Sequence, residues 1–448
     1  MAQLTVLANF PFELKGLRAH HSSTSTRSPT FTFASASADI LNMSPLFMMG
    51  VFTSLLFCGL SLDLGTLEFN RLKMQTAADA AALGAQVSHD QEDSNWVSNG
   101  QADAATDGYA NAVSNVTVAV AEQPANGAYA GFYDAVQATV TKNVPTIFMG
   151  LANRSTVTVS STSVSLETPC VYLTGAHSPA WTSYPLTLQS GSSVGRWGGS
   201  SMGCPVSFNK GVTMDSNSSL WENAFVSSGD SAGSSITGGV YHWPRFDAPT
   251  VTDPLSYLTQ PAFSSCTVPN TSVSLVNTTR TLSPGTYCKA LNFTGSTVTL
   301  QPGLYIICDG ASWTNSTVSG TGVTLFFTQS GDGRYGQFIA TRSTISLTAP
   351  TDASAGGTPT VLFWGDRNWV PTAAQDFQFL YGVGNVGDGI FYTTGTGIEF
   401  SANTFSGTHY LGFVTDNLLI VATSIQPMSN FTGVATGNPF RPRGGLVQ

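Results

Sequence analysis

From Ile40 to Leu62 the chain runs 23 residues without a charge, between Asp39 and Asp63. At 1.5 Å rise per residue such a helix is about 34 Å long, enough to cross a hydrocarbon core of about 30 Å. Pro45 falls where the first turn of that helix is expected, and its missing N–H costs least there. A cleaved signal peptide is the competing reading. The run is long for one, and no small-x-small site follows it closely. A transmembrane helix over 40–62 is therefore expected, with residues 1–39 as a flexible, cytoplasmic tail carrying Lys15, Arg18 and Arg27. Met43 is an alternative start for the mature chain.

Beyond Asp63 the pattern changes to a helical one. Leu60, Leu64, Leu67 and Leu72 recur at three-to-five-residue steps, and Ala77, Ala78, Ala81, Ala82 and Ala85 continue a narrow face of small residues. The Ala, Leu, Lys, Gln and Glu content favours a helix running on from the apolar segment. Small residues on one stripe allow close packing, either against a similar helix or against the chain's own domain. A weaker helical pattern over 95–112 follows. The stretches 115–122, 135–144 and 155–166 then alternate polar and apolar residues as half-buried strands do. Helix plus small antiparallel sheet gives an α+β module over 63–168.

From Pro169 onward the chain is punctuated by Gly, Asn and Ser and holds no long helical pattern. Its repeats carry the information. Leu282-Ser283-Pro284-Gly285-Thr286-Tyr287-Cys288 returns as Leu300-Gln301-Pro302-Gly303-Leu304-Tyr305-Ile306, 18 residues on. A Ser-Thr-β-branched core recurs at 295–300, 315–320 and 342–347. Short β-branched strands at such steps predict a right-handed parallel β-helix over 169–448, a β-sandwich being the alternative. The fold class expected is thus an N-terminal transmembrane, pilin-like helix with a small α+β module, then an all-β solenoid.

The segment LSLDLGTLEFNRLKMQTAADAAALGAQ resembles the N-terminal region of TadE/TadG-like proteins of the tight-adherence (Flp) pilus system. Its residues Asp63, Leu64, Gly65, Arg71, Leu72, Gln75, Ala77, Ala78, Asp79, Ala80, Ala81, Ala82 and Leu83 match that family's D-L-G turn and A-A-D-A-A-A-L block. The order that ends in VPTIFMGLANRSTVTVSSTSV is also similar. The pattern Cys266, Pro284-Gly285-Thr286-Tyr287-Cys288, Pro302-Gly303-Leu304-Tyr305 and Gly320-Thr321-Gly322-Val323-Thr324 is similar to the β-rich extension of some TadG-like proteins. The resemblance implies a single-pass anchor in the cytoplasmic membrane with an exported bulk. It also implies partners among pilus-assembly or other secretion-system membrane proteins, met through the N-terminal helix. No D-x-S-x-S loop occurs, so the metal-dependent adhesion of some relatives is not carried over.

Charge narrows the chemistry. Lys and Arg number 17 against 26 Asp and Glu, a net −9 with only 10% charged residues. Phosphate recognition needs a concentrated cationic surplus, so nucleic acid is excluded as a partner. The six cysteines form no C-x-x-C pair; an oxidising compartment would favour Cys266–Cys288 and Cys170–Cys204, buried thiols being the alternative. Gly191–Gly195 and Gly199–Gly203 match G-x-S-x-G formally, without the helix a nucleophile elbow needs. Asp309, Asp332, Asp366, Asp388 and Glu399, with Arg334, Arg342 and Arg367, are the residues a polysaccharide-active site would draw on. Asp beside Gly is mostly turn chemistry, however. The six His show no metal-binding spacing. Catalytic, cofactor and metal sites are therefore expected to be absent. Trp181, Tyr184, Trp197, Tyr241, Trp243, Trp364, Trp369, Tyr381 and Tyr392 could form a face for surface glycans, core packing being the default. The expected function is non-enzymatic pilus assembly or surface attachment. The alternative is a membrane-tethered β-helical hydrolase or lyase.

Overall fold

The computed structural model describes residues 45–90, 93–127, 129–131, 135–175, 186–195, 204–209, 211–221, 224–227, 236–241, 244–248, 250–262, 272–329, 335–370, 375–384, 387–403 and 409–440. The tail 1–39 lies outside them. The chain divides into two units, 1–58 and 59–448.

In the first unit the described part is the start of helix α1 (Pro45–Asp90). Pro45 opens it, as its lack of an N–H favours. Phe47, Met48, Met49, Val51, Phe52, Leu55, Leu56 and Phe57 are all exposed. Ser54 Oγ donates to Gly50 O at 2.9 Å and Thr53 Oγ1 to Met49 O, so both hydroxyls are satisfied inside the helix. That is what a segment surrounded by hydrocarbon requires. Among the described residues, α1 alone is long and apolar enough to span a membrane.

In the second unit, α1 from Gly59 onward packs with α2 (Trp96–Thr106) on an antiparallel sheet of β1 (Val116–Glu122), β2 (Ala135–Pro145) and β3 (Thr156–Leu166), in that order. Met74, Ala77, Ala78, Ala81 and Ala82 close the core over Ala104, Tyr109, Val116, Val118, Ala138 and Val140. The helices meet closely because one contact residue lacks a side chain. A Cβ on Gly100 would lie 2.6 Å from Ala81 O and 2.8 Å from Ala85 Cβ. The alternation read from the sequence thus gives the three strands, and the small-residue stripe gives the helix–sheet contact.

From Val171 on, the strands run parallel in stacked sheets, save the short Met428–Ser429, which pairs antiparallel with Tyr410–Thr415; this is consistent with a β-helix and not with a sandwich. Successive passes of the chain visit a first sheet, a second and, on most passes, a third. In the first sheet Tyr305, Leu325, Phe363, Phe391 and Phe413 lie in register on successive passes. The rings of Phe363, Phe391 and Phe413 stack at 4.8 and 5.2 Å. Val298, Val318 and Ile345 form the matching row of the third sheet.

The Ser-Thr repeat is turn chemistry. Asn277, Gly295, Asn315 and Arg342 adopt positive φ of 47–59° at the corner between the second and third sheets. The buried serine that follows three of them knits the passes together. Ser296 N donates to Ser316 Oγ at 3.2 Å, and Ser316 N to Ser343 Oγ at 3.1 Å. Each repeat therefore satisfies a buried amide of the preceding pass. The glycine of the Pro-Gly repeat has its own reason: Gly303 holds φ 137°, and a Cβ there would lie 2.8 Å from Pro284 Cβ.

The passes do not stack in chain order. The first strand of the region, Val171–Leu173, pairs on one side with Val206–Phe208 and on the other with Tyr410–Thr415. Passes from 171 to 248 thus stack beyond the last passes of the chain, and the module joins the stack at an interior position. Residues 250–262 lead back toward its other end as a strap. Val251 N donates to Asn209 Oδ1 at 2.9 Å, Tyr392 OH to Asp253 Oδ2 at 2.6 Å, and Arg367 Nη2 to Leu255 O at 2.9 Å. Gln260 closes the run, its Nε2 donating to Asp366 Oδ1 at 3.0 Å.

Candidate functional site

The strongest concentration of family-motif residues is α1 below Gly59, and the β2–β3 loop is bound to it. Asp63 is buried, and its carboxylate accepts three backbone N–H groups from that loop: Ile147 at 2.9 Å, Phe148 at 2.8 Å and Met149 at 2.7 Å. Those bonds, Ile147's foremost, hold the carboxyl below its usual range against the opposing effect of burial. Four residues earlier, the Phe148 ring occupies the space a side chain at Gly59 would need. Asp63 is legible as a motif residue. Its partner loop is not, because nothing local in 145–151 marks it as the partner of a carboxylate more than eighty residues away.

The other motif residues have separate roles. Gly65 is exposed and open; Arg71 is exposed, its side chain in a loose 3.9 Å contact with Glu68 and its carbonyl accepting from Ser161 Oγ at 3.1 Å. Such a surface pair contributes little. Gln75 Nε2 donates to Asp79 Oδ1 at 2.8 Å and to Thr162 O at 3.3 Å, fastening the helix to β3. Ala77, Ala78 and Ala81 are fully buried against the module's own sheet, while Leu83 lies half-buried near its end. The small-residue stripe is therefore occupied within the chain. What α1 leaves exposed below Gly59 is another set: Leu60, Leu62, Leu64, Phe69 and Leu72.

At the far end of α1, His89 is buried, edge-on to Trp96 at 5.2 Å and 3.9 Å from Glu122. Burial holds its pKa below the imidazole value of 6.5, with Glu122 pulling weakly the other way. The unfolded chain therefore takes up this proton first as pH falls. The stabilisation is complete above about pH 6.5 and is lost below it. We expect the denaturation midpoint of the module to drop between pH 7 and 5, and the His89→Gln variant to show a flatter profile. Equal pH profiles for the two proteins would contradict this.

Cys170 and Cys204 form a disulfide, with Cα atoms 5.7 Å apart. Cys288 is also disulfide-bonded; Cys266, its expected partner, lies outside the described residues. Cys308 is a buried free thiol, pushed by burial up to about 11, and Cys58 is free and exposed.

The acids weighed for polysaccharide chemistry sit in different hydrogen-bond sets. Asp366 accepts from Thr328 Oγ1 at 2.6 Å and from the strap's Gln260, Asp388 holds the backbone N and the ring Nδ1 of His409 at 2.8 Å, and Glu399 accepts from Gln378. Burial raises the Glu399 carboxyl. Arg367 serves the strap, while Arg342 lies over the ring of Tyr381 at 5.6 Å. Asp309 is half-buried, and Asp332 and Arg334 fall outside the described residues. The formal G-x-S-x-G at 191–195 lies at a corner and in a short strand, where Ser192 is a buried ladder residue. The second match is outside the described residues.

Most of the described aromatics weighed as a glycan face follow the default of core packing. Trp364, Trp369 and Tyr392 are buried and only Tyr381 is exposed, at 60%. Trp364 and Tyr392 point away from the ring column, yet Arg367 lies over both rings, at 5.6 and 5.2 Å, beneath the strap. Trp181, Tyr184, Trp197, Trp243 and the side chain of Tyr241 lie outside the described residues.

A family model described as putative Flp pilus-assembly TadE/G-like matches residues 42–88. The match ends two residues before α1 does. No curated protein and no solved structure matches the chain.

Proposed function

We propose that this chain is a membrane-anchored, non-enzymatic component of Flp pilus assembly or surface attachment, holding its stacked β region outside the cytoplasmic membrane. The observation that carries the reading is the TadE/G-like match over 42–88, which coincides with the helix long and apolar enough to span a bilayer. Its partners are pilus-system membrane proteins, met by the apolar side chains of α1 that the module leaves exposed. The Cys170–Cys204 disulfide favours an exported bulk, since such bonds persist in oxidising compartments. The low charge and hydroxyl-rich turns suit a spacer or contact surface.

Affinity purification of the full chain from detergent-solubilised membranes tests this. Pilus-assembly proteins should be recovered with it, equally from the Glu399→Gln and Asp309→Asn variants, and spheroplast proteolysis should remove residues beyond 63. Turnover of a polysaccharide that disappears in the Glu399→Gln variant would overturn the non-enzymatic reading. Protection of the bulk from external protease would overturn its placement.

A further inference from the structure

The β2–β3 loop presents two of the most exposed apolar side chains among the described residues: Ile147 and Leu151, each 78% accessible. An isolated surface leucine needs no explanation, but two on one short rigid loop do. The loop is held at its base by Thr146 N donating to Ser155 O at 3.0 Å. It turns through a 3-10 helix, Met149–Ala152, and ends at Asn153 with φ 63°. Arg154 follows, also exposed.

Its location gives these residues a meaning. The three amides bound by Asp63 belong to Ile147, Phe148 and Met149, and the Phe148 ring seats on Gly59. Gly59 and Asp63 are the last turn of the 23-residue uncharged run and the first charge after it. Where that run crosses a bilayer, this turn lies at the boundary between hydrocarbon and headgroups. The loop is fastened there by four backbone and ring contacts. Asp63 itself, a carboxylate at that depth, has its charge satisfied by amides and need not reach water.

We propose that the β2–β3 loop is a second membrane contact, with Ile147 and Leu151 inserted into the interface of the leaflet from which α1 emerges and Arg154 among its phosphates. The proposal rests on the reading of α1 as a membrane span. Its occupant is lipid, because the loop is bound to Gly59 and Asp63, the last turn of the uncharged run and the first charge after it. A basic residue flanking a shallow apolar wedge is also how interfacial segments bind anionic headgroups. The consequence is mechanical. A helix held only by its axis can rotate and tilt freely, whereas a side contact fixes the rotation of the module about α1.

The test uses the full chain with Cys58→Ser. Cys308 is buried with a raised thiol pKa, so a single introduced cysteine takes the label. An environment-sensitive fluorophore is placed at Ile147→Cys or Leu151→Cys, at Phe52→Cys within the span, and at Ser98→Cys on exposed α2. Each protein is reconstituted into phosphatidylcholine–phosphatidylglycerol vesicles carrying a shallow nitroxide lipid. Positions 147 and 151 should be quenched by the lipid nitroxide, as position 52 is, and show severalfold weaker iodide quenching than position 98. If 52 responds to the nitroxide while 147 and 151 behave like 98, the loop faces water and the proposal fails. It fails equally if 147 and 151 are shielded from both quenchers, since a protein then covers them. A position 52 blind to the lipid quencher would instead defeat the spanning reading itself.

Discussion

Replacing Phe391 by Ala should cost about 3–5 kcal/mol of stability, the range for removing a buried aromatic side chain from a packed core. Phe391 is fully buried at the centre of the ring column. It stacks on Phe363 and Phe413 and meets Phe379 and Phe400 edge-on at 5.7 and 5.9 Å. Passes above and below are pinned in register, so the cavity has little freedom to collapse. Urea denaturation of the detergent-solubilised chain, followed by far-ultraviolet circular dichroism, measures the effect. The exposed Tyr381→Ala variant serves as control, and as a surface change it should stay within about 0.5 kcal/mol. The early passes should respond together with the late ones, because Phe413 is in register with Val171. A loss below about 1 kcal/mol, or a separate unperturbed transition for 171–248, would show that the column does not hold the stack as described.

Much of this architecture can be read from the residues. Alternation at 115–122, 135–144 and 155–166 predicts three strands, found at Val116–Glu122, Ala135–Pro145 and Thr156–Leu166. The recurring Ser-Thr step predicts stacked passes. The physical cause is local: a left-handed corner residue and a buried hydroxyl that must be repeated on every pass.

What local pattern cannot encode is which pass meets which. Val171 and Phe413 are each apolar strand residues, and either could lie against many others. Their pairing is set by where the strap takes the chain. The same strap explains why Trp364 and Tyr392 mislead as candidate ligand-binding aromatics. They point outward from their strands, the position sequence would expose, but Tyr392 is tied to Asp253 of the strap and Trp364 lies under Arg367, which the strap's Leu255 carbonyl holds. For the functional site, Asp63 carries a signal as the first charge after the apolar run. The loop it grips becomes visible only when the sheet brings residue 147 back to it.

Removing the Cys170–Cys204 bond should cost about 3–4 kcal/mol, from the closure entropy of the 34-residue separation it spans. The position of the bond makes that loss consequential. Cys170 immediately precedes Val171–Leu173, and its carbonyl accepts from Phe413 N at 2.9 Å; Cys204 stands two residues before Val206–Phe208. The crosslink therefore joins the pass that enters from the module to the next pass outward, on the side away from the ring column. Passes at an end of a stack have neighbours on one side only and open most readily. The crosslinked passes keep a neighbour on each side, and the free end lies further out, at Pro244–Ala248, so the bond anchors the root of the segment that reaches that end. We expect the Cys170→Ala/Cys204→Ala variant, and the native chain under dithiothreitol, to lose the 171–248 passes at lower urea than the rest. Hydrogen exchange should show faster opening in Val206–Phe208 and Val212–Met214 than in Val361–Gly365. The Cys58→Ser variant should behave as the native chain. An unchanged urea midpoint in the double variant would mean that stacking on the neighbouring passes secures 171–248 without the crosslink.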